Sequence, residues 1–179
     1  MKRERHPHIG LDSQCLSYLL DAISSIGEPT DSLASEKKAI LRSWFYKPRT
    51  FILTETVIAE VGKIRNLERR KFHESFVRTL FLDYPVRNLA PVQVRAAQLQ
   101  VNHPKPSDCQ ILAEAEELRL DIVLTYDHDF LKRLSNASPT TKLMKPSAYW
   151  LGLGVPRGVK PITIPHHTNP LSEQSWWRW

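Results

Sequence analysis

Asp121-Ile122-Val123-Leu124-Thr125-Tyr126-Asp127 sets consecutive aliphatic residues between two carboxylates. A short apolar run rich in β-branched residues, with no polar alternation, reads as a strand covered on both faces. His8-Ile9-Gly10-Leu11-Asp12 has the same build near the start of the chain, a brief apolar run closed by an acid. Strands covered on both faces belong to parallel sheets, and parallel strands need long crossovers, usually helices.

The intervening sequence supplies those helices. Leu16, Leu19, Leu20 and Ile23 recur at helical spacing and predict a helix over 13–27, stopped by Gly27-Glu28-Pro29. Ser32 or Ser35 can cap a second helix that runs to about Tyr46, with Pro48 ending it. Thr50–Leu53 is a brief β-type run, followed by helices over about 55–65 and 68–82. Pro85–Leu89 is read as a third strand, and 91–101 and 107–119 as helices parted by His103-Pro104-Lys105-Pro106. A short helix through Leu131 and a strand at Lys142–Met144 complete the pattern. Strands separated by helices predict an α/β fold: a doubly wound parallel sheet flanked by helices, with right-handed crossovers. Residues 1–151 form the expected domain and 152–179 an irregular extension. In that extension Pro156, Pro161, Pro165 and Pro170 break any periodicity, and Trp176, Trp177 and Trp179 close it. Aromatic area of that size favours a tail that docks on its own domain or on a dimer mate.

The 179 residues suffice for one domain with a substantial core, and 25% charged residues match a globular chain rather than a fibrous one. No apolar stretch approaches the length of a membrane span, and the basic start Met1-Lys2-Arg3-Glu4-Arg5 lacks a secretory pattern, so a cytoplasmic protein is expected. Cys15 and Cys109 make neither a disulfide framework nor a zinc spacing and are expected to pack as small hydrophobes. The net charge of +6 favours a polyanionic partner. Arg65, Arg69, Arg70 and Lys71 concentrate that charge, either as an RNA-binding face or as a solvated helix face.

The acids carry the chemical signal. Asp12 and Asp127 follow the two apolar runs, at the carboxyl ends of strands where parallel sheets bind ligands. Glu60 lies about 40° from Ile64 on its helix, at the edge of the apolar stripe. Asp108 shares a face with Ile111, Leu112 and Ala115. A carboxylate in such a place is costly unless something positive compensates it. Each also has a structural reading. Asp12 can cap the helix starting at Ser13, Asp108 suits a helix N-terminus, Glu60 can pair with Lys63 or Arg65, and Asp127 and Asp129 can be turn residues.

His8-Ile9-Gly10-Leu11-Asp12-Ser13, Thr54 with Glu60, Asp108 with Ile111, Ala113 and Ala115, and Leu124-Thr125-Tyr126-Asp127-His128-Asp129-Phe130 together resemble the PIN domain, above all the VapC-type toxins of toxin–antitoxin pairs. The resemblance spans roughly 8–151 and includes Lys145-Pro146 before a short helix. It implies a Mg²⁺- or Mn²⁺-dependent endoribonuclease with Asp12, Glu60, Asp108 and Asp127 as its acidic cluster. Asp129 matches a frequent fifth acid, and Thr125 a hydroxyl that orders the site. It further implies an RNA substrate, a small antitoxin protein as partner and a homodimer. Two other readings remain: a non-catalytic RNA- or protein-binding module of this type, and an RNA-processing nuclease without an antitoxin. The long segment between Gly27 and Thr50 and the tail after Gly152 depart from a compact toxin.

Overall fold

Four short parallel strands form the centre of the molecule: β1 (Ile9–Leu11), β2 (Phe51–Ile52), β3 (Ile122–Leu124) and β4 (Lys142–Met144), in spatial order β2-β1-β3-β4. The computed structural model describes residues 7–24, 27–47, 51–81 and 84–179. Among them are eight α-helices: α1 (Ser13–Ser24), α2 (Ala34–Tyr46), α3 (Glu55–Val61), α4 (Leu67–Leu80), α5 (Leu89–Leu99), α6 (Pro106–Glu117), α7 (His128–Leu134) and α8 (Pro146–Gly152). The fold is therefore α/β, an all-parallel sheet flanked by helices, as the apolar runs imply. No helix of the described residues is long and apolar enough to cross a membrane.

The path of the chain positions the site. From β1 the chain steps to one side for β2, then passes β1 to reach β3 and β4 on the other. Strand order reverses between β1 and β3, the place where ligands of such sheets bind beyond the carboxyl ends. Ile9, Gly10 and Leu11 pair with Ile122, Val123 and Leu124. A Cβ on Gly10 would meet Leu120 Cδ1 at 2.9 Å and Val123 Cγ2 at 3.2 Å, so the missing side chain lets the sheet and its covering residues approach.

Burial explains the helices. α1 turns Cys15, Leu16, Leu19, Leu20, Ala22 and Ile23 into the core, so its stripe is interior. Its four large aliphatic side chains are each worth ~1.5–3 kcal/mol before ordering costs. α6 buries Cys109, Ile111, Leu112, Ala113 and Ala115 on one face, and Pro106 opens it at a position where no amide hydrogen bond is lost. Both cysteines are free and buried.

Two expectations need correction. Residues 84–88 form no strand. Pro85 offers no amide, and the Val86 amide donates to Glu55 Oε1 at 2.9 Å instead of to a ladder. Neither Ser32 nor Ser35 caps α2; Asp31 takes the Leu33 amide at 2.9 Å on its side chain and the Ala34 amide at 3.0 Å on its carbonyl. The helix expected over 13–27 is described only to Ser24, and Pro48 and Thr50 lie outside the described residues.

The tail docks on its own domain. Trp177 is fully buried, its ring 4.7 Å from that of Phe45 on α2, and its indole N–H donates to the Leu171 carbonyl at 3.1 Å. Arg42 on α2 donates to the carbonyls of Trp176, Trp177 and Arg178 at 3.4, 3.1 and 3.1 Å. The Trp179 ring stands edge-on to Trp150 of α8 at 5.5 Å, with the guanidinium groups of Arg42 and Arg157 at 4.9 and 4.7 Å. Trp177→Ala empties a sealed site and is expected to cost ~3–5 kcal/mol. That is a drop of roughly 10 °C in Tm for a chain of this length. A thermal melt checks it, and an unchanged Tm contradicts the docking.

Candidate functional site

The β1–β3 ladder places the first acid beside the second strand. The Asp12 amide donates to the Leu124 carbonyl at 3.0 Å, so Asp12 and Thr125 follow adjacent strand ends. Asp12 Oδ1 accepts the Cys15 amide at 2.6 Å, capping α1. Asp12 is buried, and burial lifts its carboxyl to about 6, with Asp108 adding repulsion. Hydrogen bonds from Thr125 and the Cys15 amide offset part of that rise.

Asp108 enters from the first turn of α6 and is also buried. His103 Nε2 lies 2.8 Å from Asp108 Oδ2, and Lys105 Nζ lies 3.0 Å from Oδ1. The same ammonium is 3.3 Å from Asp127 Oδ2. Asp127 begins α7, and its Oδ1 accepts the amides of Asp129 and Phe130 at 2.9 and 3.0 Å. Burial opposes its ionisation, yet these amides and Lys105 together pull its pKa below the usual carboxylate value. Burial likewise disfavours the Lys105 charge, but the two carboxylates outweigh it and raise the ammonium pKa. Thr125 Oγ1 accepts the Asp127 amide at 3.0 Å, tying the acids after β3 to the one after β1.

Glu60 reaches the same end of the sheet from α3, where its carboxylate accepts the Ser13 hydroxyl, one residue from Asp12. It pairs with neither Lys63 nor Arg65 among the described interactions. A cavity of about 350 Å³ opens beside it, lined by Ser13, Gln14, Glu60, Ile64 and Arg69 among others. Asp129 lies in the first turn of α7 with its side chain exposed. Asp12, Thr125, Asp108 and Asp127 are thus joined through hydrogen bonds, repulsion and Lys105. Glu60 is linked through Ser13, and Asp129 contributes a backbone amide.

The basic residues divide. Arg69 lines the cavity beside Glu60 and pairs with Asp21 of α1 at 2.7 Å. Lys71 is 3.9 Å from Glu68 across one turn of α4, and Arg65 lies exposed between α3 and α4. Arg65, Arg70 and Lys71 are not part of that lining.

Sequence reasoning missed His103 and Lys105. Their signal was local: one precedes Asp108 by five positions and the other by three, within a proline-framed loop. Glu114 was also missed. It is buried and accepts the Thr56 amide and hydroxyl at 3.0 and 2.7 Å, at the N-terminus of α3 where an acid complements the helix dipole.

The donor chemistry at the strand ends is carboxylate oxygen, which suits hard divalent cations. Among the described residues no three His, Cys, Asp or Glu side chains converge closely enough to hold a metal ion. Among the described residues, the positive charge shared between two of these acids is the Lys105 ammonium. No protein-family model matches the chain, and no curated protein matches it in sequence.

The Asp12 shift has a sign that can be tested. Its folded pKa of about 6 exceeds the ordinary 3.8, so protonation favours the folded state. The stabilisation is full below pH ~4 and is lost as pH rises through ~6, on the order of 3 kcal/mol in all. Asp12→Asn keeps the cap acceptor and removes the ionisation. In chelator, the variant is expected to melt above wild type at pH 7.5, with the gain gone by pH 4. A difference that does not change with pH refutes this cause.

Proposed function

We propose that this protein is a divalent-metal-dependent endoribonuclease of the PIN type, hydrolysing RNA phosphodiester bonds and acting as the toxin of a toxin–antitoxin pair. The observation that carries this reading is the gathering of Asp12, Asp108 and Asp127 at the strand-order reversal, from three segments far apart in sequence. The resemblance to PIN domains named the same residues from sequence motifs alone. On this reading Asp12, Asp108 and Asp127, with Glu60 and Asp129 at the margin, would have to draw closer to hold Mg²⁺ or Mn²⁺, since no three of the described donors converge closely enough as they stand. A bound dication would offset the phosphodiester charge and polarise a phosphoryl oxygen.

The chain's own residues have definable parts in this scheme. Thr125 orients Asp12 and receives the Asp127 amide, so its hydroxyl couples the two strand ends. His103 fixes the Asp108 carboxylate through its Oδ2. Ser13 holds Glu60 at the mouth of the neighbouring cavity. Arg65, Arg69, Arg70 and Lys71 are the proposed RNA-binding face, of which Arg69 is nearest the acids. An antitoxin and a second copy of the chain are the proposed protein partners, and the cytoplasm the proposed compartment.

One observation favours a second reading, an RNA- or protein-binding module without catalysis. Lys105 already neutralises part of the acidic cluster through two ion pairs. Cleavage of single-stranded RNA by the full chain in Mg²⁺ or Mn²⁺ separates the two. Asp108→Asn is expected to reduce metal-dependent cleavage at least ~100-fold, the scale at which one charge-stabilising group acts. Its circular dichroism should remain that of the wild type. Wild-type rates in Asp108→Asn would eliminate the nuclease assignment.

Removing the charges of Arg65 and Arg70 together is expected to weaken RNA binding and flatten its log–log salt dependence by about one unit per lost phosphate contact. Titration of labelled RNA at several salt concentrations measures the slope; an unaltered slope returns these residues to a solvated face.

A further inference from the structure

We propose that the cavity between the α4–α5 loop and the end of α6 binds a nucleotide, with Arg87 and Arg119 on its phosphate, Tyr84 against its base and Glu117 accepting from its sugar hydroxyls. The space is about 380 Å³ and is lined by Tyr84, Pro85, Arg87, Glu117, Leu118 and Arg119. α6 carries Asp108 in its first turn and runs 12 residues to this cavity, a span of ~18 Å. The cavity therefore lies toward the amino end of β3, away from the acidic cluster, and takes nothing from it.

Two residues of the lining run against local preference. Arg119 has a φ of 56°, the only positive φ of a residue other than glycine among the described residues. α6 closes through it: the Arg119 amide donates to the Glu116 carbonyl at 3.0 Å and the Leu120 amide to the Ala115 carbonyl at 2.9 Å. Glycine is the usual residue at such a helix end, and a side chain there is strained. A cation does suit the carboxyl end of a helix, but the exposed helical position 117 could carry one without strain. That position holds Glu117 instead, an acid where the helix dipole disfavours one. Stability of α6 explains neither residue, whereas both side chains line the cavity.

Neither arginine is spent elsewhere. Among the described residues Arg87 and Arg119 have no ion pair and no side-chain hydrogen bond, whereas Arg95 on the adjoining α5 is bound to Glu116 at 2.7 and 3.0 Å. Two guanidiniums against one carboxylate leave the cavity positive, and guanidinium matches phosphate oxygens in pairs. The Tyr84 ring offers a base a stacking face, and Pro85 and the partly buried Leu118 add apolar surface. Both walls are set before a ligand arrives. Val86, between Pro85 and Arg87, is buried and its amide is held by Glu55 at 2.9 Å, and the closing hydrogen bonds of α6 fix Arg119.

The test is calorimetric titration of the full chain in chelator with adenosine and uridine 5′-monophosphates, a 5′-phosphorylated trinucleotide, inorganic phosphate and the two nucleosides. Wild type is expected to bind a mononucleotide about tenfold tighter or more than phosphate or the nucleoside alone. Arg119→Gly should weaken that binding about tenfold or more, while its Tm holds or rises by roughly 2–4 °C as the left-handed strain is relieved. Arg87→Gln should weaken binding similarly, and it repeats the test if Arg119→Gly does not fold. Tyr84→Ala should bring the nucleotide close to the affinity of phosphate. Binding of the trinucleotide but of no mononucleotide, with the same loss in the arginine variants, supports the site and assigns it to an RNA end rather than a free nucleotide. The proposal is overturned if wild type binds neither at millimolar concentration, if it binds them no tighter than inorganic phosphate, or if Arg119→Gly and Arg87→Gln bind as wild type does.

Discussion

The pairing of β1 with β3 is the constraint on which the site depends. It joins segments 113 positions apart, with the His8 amide on Asp121 Oδ2 at 2.8 Å at one end and the Asp12 amide on the Leu124 carbonyl at 3.0 Å at the other. A slip of one residue would turn Ile9 and Leu11 to the face where Gly10 now sits, and there Leu120 and Val123 leave no room for a side chain. The register is therefore fixed by apolar burial. Asp12 and Thr125 meet because the hydrophobic residues before them have no other place to go. Gly10, with no room for a side chain, holds the approach close.

Compensation across the acids is uneven, and the unevenness is informative. Asp127 has two amides and an ammonium and ionises below its usual range. Asp108 has His103 and the same ammonium. Asp12, whose pKa burial raises, has among the described residues the neutral donors Thr125 and Cys15 and no ion pair. A fold selected for stability alone would gain from an amide or an apolar side chain there. On the proposed reading the uncompensated charge has a purpose, since a cation stabilises a buried carboxylate more than a solvated one.

Much of the scaffold was legible because burial leaves period and composition behind. The strands at 9–11, 122–124 and 142–144 sit within or on the apolar runs, and α1 and α6 follow their stripes. Pro85–Leu89 misled because Val86 is indeed buried, but in a loop whose amide is satisfied by Glu55. Residue type reports burial there, not the partner of the backbone. The same limit hid Glu36, which caps α8 through the Ser147 amide at 2.8 Å, and Glu114, which serves α3. Long-range caps join residues with no common spacing. Asp12, Asp108 and Asp127 were legible because each closes or opens an apolar element. Lys105 was not, because a lysine between prolines looks like an ordinary loop.

The structural and the functional readings of these acids do not exclude one another, because they use different oxygens. Asp127 gives Oδ1 to the amides of α7 and Oδ2 to Lys105. Asp108 gives Oδ2 to His103 and Oδ1 to Lys105. Asp12 gives Oδ1 to the Cys15 amide. One oxygen of each acid is thus bound by the fold, and in Asp108 and Asp127 the other meets the Lys105 ammonium. A carboxylate that only capped a helix would need no such division, since one acceptor suffices. The cap in turn fixes the side chain, so the second oxygen is held in place before any cation arrives. Preorganisation of this kind lowers the ordering cost of binding. On the proposed reading, helix capping would keep Asp12 and Asp127 rigid at the strand ends, and His103 would do the same for Asp108.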